Sequence, residues 1–205
     1  MVQIKQVEKD NKKIIEDVVD IHLKTFKGFF LTFLGRGFLR QLYSCYCKYR
    51  ESGILVAISE NENSTIGFLA YSGDLSGLYK FMLQHKWFAF AWYSLGAFLR
   101  KPMIFLRLIR AFLKPKESKR TETYMELSSI GVHPSEKGKG IGTLLMNEYK
   151  KSVDFSKYAY ISLETDAIDN ISANAFYKKN GFLLIRTYKT KEGRMMNEYR
   201  YRNEQ

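Results

Sequence analysis

Apolar and polar positions along this chain recur with two periods, one of about two residues and one of three to four, and together they outline a run of strands and helices. Val2–Val7 alternates like a short strand. Asp10 or Asn11 can then cap a helix reaching about Phe26, with Ile14, Ile15, Val18, Ile21 and Leu23 as its apolar face. A second helix is expected from about Gly37 to Lys48. Gly53–Ile58 reads as a strand, residues 61–64 as a hairpin turn, and Thr65–Tyr71 as the returning strand. Within residues 122–132, Met125, Leu127 and Ser129 alternate with Glu126, Ser128, Ile130 and Val132, which suits a central strand. Ile141, Leu144, Leu145 and Tyr149 recur at helical spacing, with Asn147, Glu148, Lys150 and Lys151 on the other side. A strand near Ala159–Glu164 follows. The next helix can be capped by Asp169 or Asn170, carries Ala173, Phe176 and Tyr177, and ends at Asn180-Gly181. A last hairpin pairs Phe182–Tyr188 with about Met195–Tyr201 across residues 191–194.

The join between the central strand and its helix is the first stretch with chemical content. It reads IGVHPSEKGKGIGTLLMN from Ile130 to Asn147, a strand running into a glycine-rich turn that opens a helix. Gly138, Gly140 and Gly142 lack a Cβ, so the backbone can tighten and a ligand can approach it closely. The amides after the turn lie at a helix N-terminus, where aligned peptide dipoles favour an anion. Neither common glycine fingerprint fits. Lys139 lies between glycines where the dinucleotide motif needs another spacing, and Gly142-Thr143 lacks the lysine of a P-loop.

Lys137-Gly138-Lys139-Gly140-Ile141-Gly142 resembles instead the acyl-CoA-binding motif of the GNAT superfamily of N-acetyltransferases, [QR]-x-x-G-x-[GA]. The departure is Lys137, where that family usually has Arg or Gln. A second block, DNISANAFYKKNGF from Asp169 to Phe182, resembles the later family motif N-x-x-A-x-x-x-Y-x-x-x-G-F, with Asn170, Ala173, Tyr177, Gly181 and Phe182 on the matching positions. The resemblance covers roughly residues 122–202 firmly and residues 1–73 in outline. It implies an α/β (α+β) fold of the GNAT type: a mixed, mostly antiparallel central sheet of about six to seven strands, with helices on both faces. Residues 1–205 are then read as a single GNAT acetyltransferase domain with a basic, apolar helical insert at about 74–120.

That insert holds most of the charge. The chain carries a net charge of +12, and residues 75–120 contain ten Lys and Arg against one acid, Glu117. Trp87–Leu99 is thirteen residues without a charge, short of the roughly twenty that span a bilayer. Pro102 is expected to open another helix, with Arg107, Arg110 and Lys114 on one stripe and Ile104, Phe105, Leu108, Ile109 and Phe112 around the rest. Three readings stand open: helices packed on the domain as a roof over an acceptor cleft, a peripheral membrane contact through 78–113, and a homodimer contact. Nucleic acid is not expected as a partner, because the basic residues alternate with a large apolar surface.

At 205 residues one domain is the natural prior. Cys45 and Cys47 are two apart and should point to different faces of a helix, while His22, His85 and His133 are scattered, so no metal site is expected. Reduced thiols and the absence of an apolar stretch at the N-terminus suit a cytoplasmic protein, with a peripheral place at the inner face of the membrane if the insert docks there.

The resemblance also implies roles. Acetyl-CoA would be the cosubstrate, with no metal. Its pyrophosphate would sit on the amides of Gly138, Lys139, Gly140, Ile141, Gly142 and Thr143 beside Lys137, and Asn170 would contact it too. Ile130, Gly131 and Val132 would give main-chain contacts to the pantetheine, Val132 N–H facing the thioester oxygen. Tyr177 stands where many members place a tyrosine acid; the other reading is a packing tyrosine that bonds the sulfur. Glu126 stands where some members carry a base, sharing a face with Ser128 and Ile130; the other reading is an ordinary strand glutamate. Glu164, Asp166 and His133 are further candidates. The expected activity is transfer of acetyl to a primary amine of a small molecule, such as a nucleotide-linked amino sugar, by direct attack in a ternary complex. The rivals are a protein or peptide N-acetyltransferase, and a catalytically silent CoA-binding module docked through the insert.

Overall fold

The computed structural model of the chain describes residues 1–8, 11–100, 102, 122–191 and 193–203. The helix expected from Pro102 onward, with its Arg107–Lys114 stripe, lies outside the described residues. The elements run β1 (Val2–Gln6), α1 (Lys12–Thr25), α2 (Phe30–Leu34), α3 (Arg36–Lys48), β2 (Ser52–Ser59), β3 (Ser64–Ser72), α4 (Leu75–Arg100), β4 (Tyr124–Val132), α5 (Ile141–Ser152), β5 (Tyr160–Asp166), α6 (Ile171–Lys179), β6 (Leu183–Lys189) and β7 (Met195–Tyr201). Seven strands form one sheet in the order β1-β2-β3-β4-β5-β7-β6, antiparallel throughout except for the β4–β5 pair.

Local chemistry accounts for most boundaries. Asn11 caps α1 by accepting the Ile14 amide at 3.2 Å. Asp74 does the same for α4, taking the Gly77 amide at 2.8 Å and the Tyr49 hydroxyl at 2.7 Å, so that helix begins well before the uncharged stretch the sequence draws attention to. α2 is not foreshadowed by periodicity, since FLTFL is apolar on nearly every side.

The sheet is buried on both faces at its centre. Ile54 and Val56 of β2, with Phe68 and Ala70 of β3, pack under α1, α3 and α4 beside Val18, Leu39, Leu78 and Met82. Leu55, Ala57 and Leu69 turn the other way and meet Leu145 and Tyr149 of α5 with Ile161, Leu163 and Tyr199. Two-sided burial is why β2 reads as a continuous apolar run rather than as an alternation. Cys45 and Cys47 are both buried in the first of these layers, neither in a disulfide, and burial pushes the Cys45 thiol up to about 11.

Alternation along β4 is interrupted. Ala70 of β3 stands opposite Ser129, and Tyr71 opposite Leu127, so Ser128 is an extra residue in a bulge. Met125 and Leu127, then Ile130 and Val132, all face the α5 layer. Glu126 therefore does not share a face with Ile130, as unbroken alternation predicts; the bulge sends Ile130 to the opposite side.

Candidate active site

Pairing between β4 and β5 is what opens the site. The two parallel strands are hydrogen-bonded partners only over Tyr124–Glu126 and Tyr160–Ser162. β4 continues to Val132 and β5 to Asp166 beyond that last rung, leaving a fork between their C-terminal halves. Ligand crevices form at such carboxyl ends of parallel strands.

The β4 arm of the fork offers main-chain groups. Its pairing with β3 continues past the strand, with the His133 amide bonded to the Ile66 carbonyl at 2.8 Å. Groups on an antiparallel strand alternate in direction, so Gly131 turns its N–H and C=O to β3 and Ile130 and Val132 turn theirs to the open side. The Val132 carbonyl is taken by the Thr25 hydroxyl at 3.1 Å. Gly131 has a separate reason to be glycine: a Cβ there would lie 2.9 Å from the Phe68 ring and 3.2 Å from that of Phe26.

At the mouth of the fork stands the N-terminus of α5. Gly138 (φ +86°) and Gly140 (φ +83°) are left-handed, and a Cβ on either would meet nothing within 4 Å. The glycines there serve the backbone angle, not crowding by protein, and the space over them is open. The first bond of the helix is from the Leu144 amide to the Gly140 carbonyl. The amides of Gly138, Gly140, Ile141, Gly142 and Thr143 take no acceptor among the described residues, and no side chain caps the helix. Five amides at a helix N-terminus, two set by left-handed glycines, make a fitting seat for a diphosphate. Ile141 buries its side chain in the core and so presents only its main chain. Lys139 turns its ammonium to Glu136 at 3.0 Å, and the Lys137 amide closes the preceding turn on Pro134. Gly142 is pressed for room, with Phe176 of α6 at 3.2 Å from its would-be Cβ and Val132 at 3.8 Å. That contact joins α5, α6 and the open arm of β4.

Asn170 occupies the N-cap position of α6, but its side chain does not cap. Its amide donates instead to Thr165 at the end of β5 at 2.7 Å, tying α6 to the second arm of the fork. Asn174, which sequence reasoning passed over, fixes that end further: its amide donates to the Asp166 carbonyl, and its oxygen accepts from Asn197 and from the Tyr199 hydroxyl at 2.8 and 2.9 Å. Tyr177 follows on the buried face of α6 among Phe176, Phe182 and Tyr199. Burial pushes its phenol up to about 12, so it keeps its proton at neutral pH.

Glu126 sits at the crotch, in the last paired rung opposite Ser162, and is buried. Its neighbours Met125 and Leu127 face α5, so its side chain takes the other side, towards α3 and α4. Tyr46 and Tyr79 lie within electrostatic reach of it from those two helices, as Tyr149 of α5 does from across the sheet, and the Tyr43 and Tyr46 hydroxyls lie against Ser129 and Ser128 of the bulge. Burial raises the phenols of Tyr43, Tyr46 and Tyr79 well above their ordinary range. None of these tyrosines carries a motif; only their placement beside the bulge marks them.

The remaining candidates are engaged in structure. His133 meets Ser135 through Nδ1 at 2.8 Å and Lys24 through Nε2 at 3.1 Å. Asp166 forms a two-pronged pair with Arg194 at 2.7–2.8 Å. Glu164 stands opposite Glu198 on β7 and lies against Tyr188. Among the described residues no group of three or more His, Cys, Asp or Glu is placed to hold a metal ion.

Comparison with known proteins agrees with this architecture. Residues 15–182 match the sequence model of the acetyltransferase (GNAT) family. No curated protein matches the chain by sequence. In solved structures, the chain is similar to ribosomal-protein-S18-alanine N-acetyltransferase from Escherichia coli, with a TM-score of 0.60 and 13% identity over 100% of this chain and 96% of that one. It is similar to Arabidopsis thaliana NAA60 in complex with acetyl-CoA, at TM-score 0.58 and 15% identity over 99% of each chain. A proposed streptothricin acetyltransferase from Bacillus anthracis, in complex with acetyl coenzyme A, gives 0.51 and 16% over 79% of this chain and 68% of that one. At these identities the likeness is one of fold.

Proposed function

The chain belongs to the GNAT family of acetyltransferases, and from that premise we propose that it moves acetyl from acetyl-CoA to a primary amine of a small molecule by direct attack in a ternary complex. The observation that carries the reading is the fork itself: the main-chain groups of Ile130 and the N–H of Val132 turned to the open side of one arm, and free amides of residues 138 and 140–143 at its mouth. Those amides, with Lys137 and Lys139 nearby, would hold the diphosphate, and Asn170 would steady the adjoining end of β5. Ile130 and Val132 would bond the pantetheine as a strand edge bonds a peptide. The Val132 N–H, whose own carbonyl is already bonded to Thr25, would donate to the thioester oxygen as negative charge develops there.

The two titratable groups lie on opposite faces of the sheet. Glu126 looks towards α3 and α4, while Tyr177 belongs to the α5 side. An amine entering under α4 would give its proton to Glu126, directly or through water, and attack the carbonyl in the gap. The sulfur would leave on the Tyr177 side, where a phenol still protonated at neutral pH donates to it. Tyr79 brings α4 over Glu126, which supports an enclosed acceptor site rather than a long peptide groove. The positive charge of residues 75–120 suits an anionic acceptor, such as a nucleotide-linked amino sugar.

A thiol-release assay with acetyl-CoA against a panel of amines tests this. Turnover with small amines is expected. Turnover confined to peptides would overturn the acceptor, and a calorimetric titration without heat on adding CoA would overturn the site.

A further inference from the structure

The helix that covers Glu126 also shows a second face that the transfer reaction does not use. Phe88, Trp92, Leu95 and Leu99 follow one another at steps of four, three and four along α4, which places them on one side of it. They are 71%, 73%, 46% and 71% exposed. Leu83 and Trp87 are exposed as well, more than a quarter turn round the helix from the stripe. The other side of the helix is firmly packed: Leu78, Met82 and Phe90 are buried, Phe90 meets Phe38 of α3 at 4.8 Å, and Tyr93 lies over Gly37. So α4 is fastened to the fold by one face while the opposite one presents large aromatic and aliphatic side chains to solvent.

We propose that this face of α4 docks the protein on the surface of an anionic lipid bilayer. Exposed tryptophan, phenylalanine and leucine on one side of a helix are what a membrane interface accepts, the rings sinking to the boundary between headgroups and acyl chains. No helix among the described residues is long and apolar enough to cross a membrane, so α4 lies along the surface. Charge selects the partner. Residues 75–120 hold ten Lys and Arg against one acid, and Lys80 stands exposed on α4 ahead of the stripe. Basic residues beside an apolar face are drawn to the negative potential of acidic lipid. Two copies meeting through the same face would instead bring those like charges together.

The chain has two tryptophans, Trp87 and Trp92, both exposed on α4, and Trp92 lies in the stripe, so intrinsic fluorescence reads the contact. The experiment adds the full chain to vesicles of phosphatidylcholine alone, and to vesicles of equal parts phosphatidylcholine and phosphatidylglycerol. A blue shift, quenching by brominated lipid and co-flotation are expected with the mixed vesicles, weakening as salt is raised. The double variant Phe88→Ser, Trp92→Ser, altered only at exposed positions, should bind lipid at least about tenfold more weakly, with CoA binding unchanged. An emission spectrum indifferent to both vesicles would overturn the proposal. So would a double variant that floats like the parent, or a blue shift that grows with protein concentration without lipid while light scattering reports a dimer.

Discussion

His22 on α1 and Tyr43 on α3 share a hydrogen bond of 2.7 Å, Nδ1 to the phenol oxygen, in the layer directly behind the β4 bulge. The same phenol lies against Ser129, so a polar chain runs from α1 through α3 to the strand that lines the site. The other ring nitrogen, Nε2, is buried without a partner among the described residues, and the ring is enclosed by Phe26 and Phe68. An imidazolium could not be solvated there, and burial pulls its pKa down from 6.5 to about 4.

That shift fixes a pH dependence of stability. The unfolded chain binds a proton at His22 below about pH 6.5, while the folded chain refuses it until about pH 4. Stability is therefore full above pH 6.5 and falls as the solution is acidified, by on the order of 3 kcal/mol when pH 4 is reached. Urea unfolding of the parent and of His22→Gln at neutral and acid pH measures it. The variant should lose this part of the slope even if it is less stable at pH 7, and an unchanged slope would rule the explanation out.

Tyr177 separates chemistry from stability. Its hydroxyl has no hydrogen bond to any described residue, while its ring packs on Phe182 and Tyr199. Tyr177→Phe should therefore keep the melting temperature and the affinity for acetyl-CoA, and lower kcat by about 100-fold or more. Because the phenol holds its proton to about pH 12, the parent should show no loss of this contribution up to pH 10. A variant with normal kcat would leave Tyr177 as packing only.

Two glycines near the fork should fail in different ways. Gly140→Ala meets open space but must hold φ at +83°, a strain of about 1 kcal/mol, and it distorts the amides at the mouth. Weaker CoA binding with a small loss of stability is expected. Gly131→Ala pushes a methyl to 2.9 Å from Phe68 in the core, with overpacking of about 1–3 kcal/mol. Its melting temperature should fall more than that of Gly140→Ala. Calorimetry with CoA and thermal unfolding on both variants compare the two effects, and the reverse order in either would contradict this account.

What could be read in the sequence was what is local. The turn at 138–142 announces itself because left-handed glycines and a helix start are fixed within a few residues, and Asn11 and Gly181 mark helix ends for the same reason. The bulge at Ser128 leaves no such mark. A serine pair fits unbroken alternation as well as an extra residue, and only pairing with β3 decides between them. The fork is equally silent, since β5 keeps its strand pattern to Asp166 although pairing with β4 stops at Ser162. Tyr43, Tyr46 and Tyr79 come to the bulge from two helices distant in the chain, each indistinguishable beforehand from any aromatic on an apolar helical face. Asn170 looked like a cap and proved to be a tie to Thr165, because the strand end offers its amide a nearer acceptor.

Glu126 gives the sharpest test of how the two faces of the sheet divide the reaction. Glu126→Gln keeps shape and burial in the rung opposite Ser162 but cannot accept a proton from an amine. If the carboxylate is the base, kcat/KM for the acceptor should drop by about 100-fold or more, and the acid limb of its pH profile should vanish. Acetyl-CoA binding should persist, because the amides that would hold it lie at the other end of the fork. A glutamate serving only to order Tyr46 and Tyr79 would behave otherwise: the variant would keep the acid limb and lose rate through KM. Steady-state kinetics across pH, with acceptor and acetyl-CoA varied separately, tells the two apart, and an intact acid limb would move the base elsewhere in the cleft.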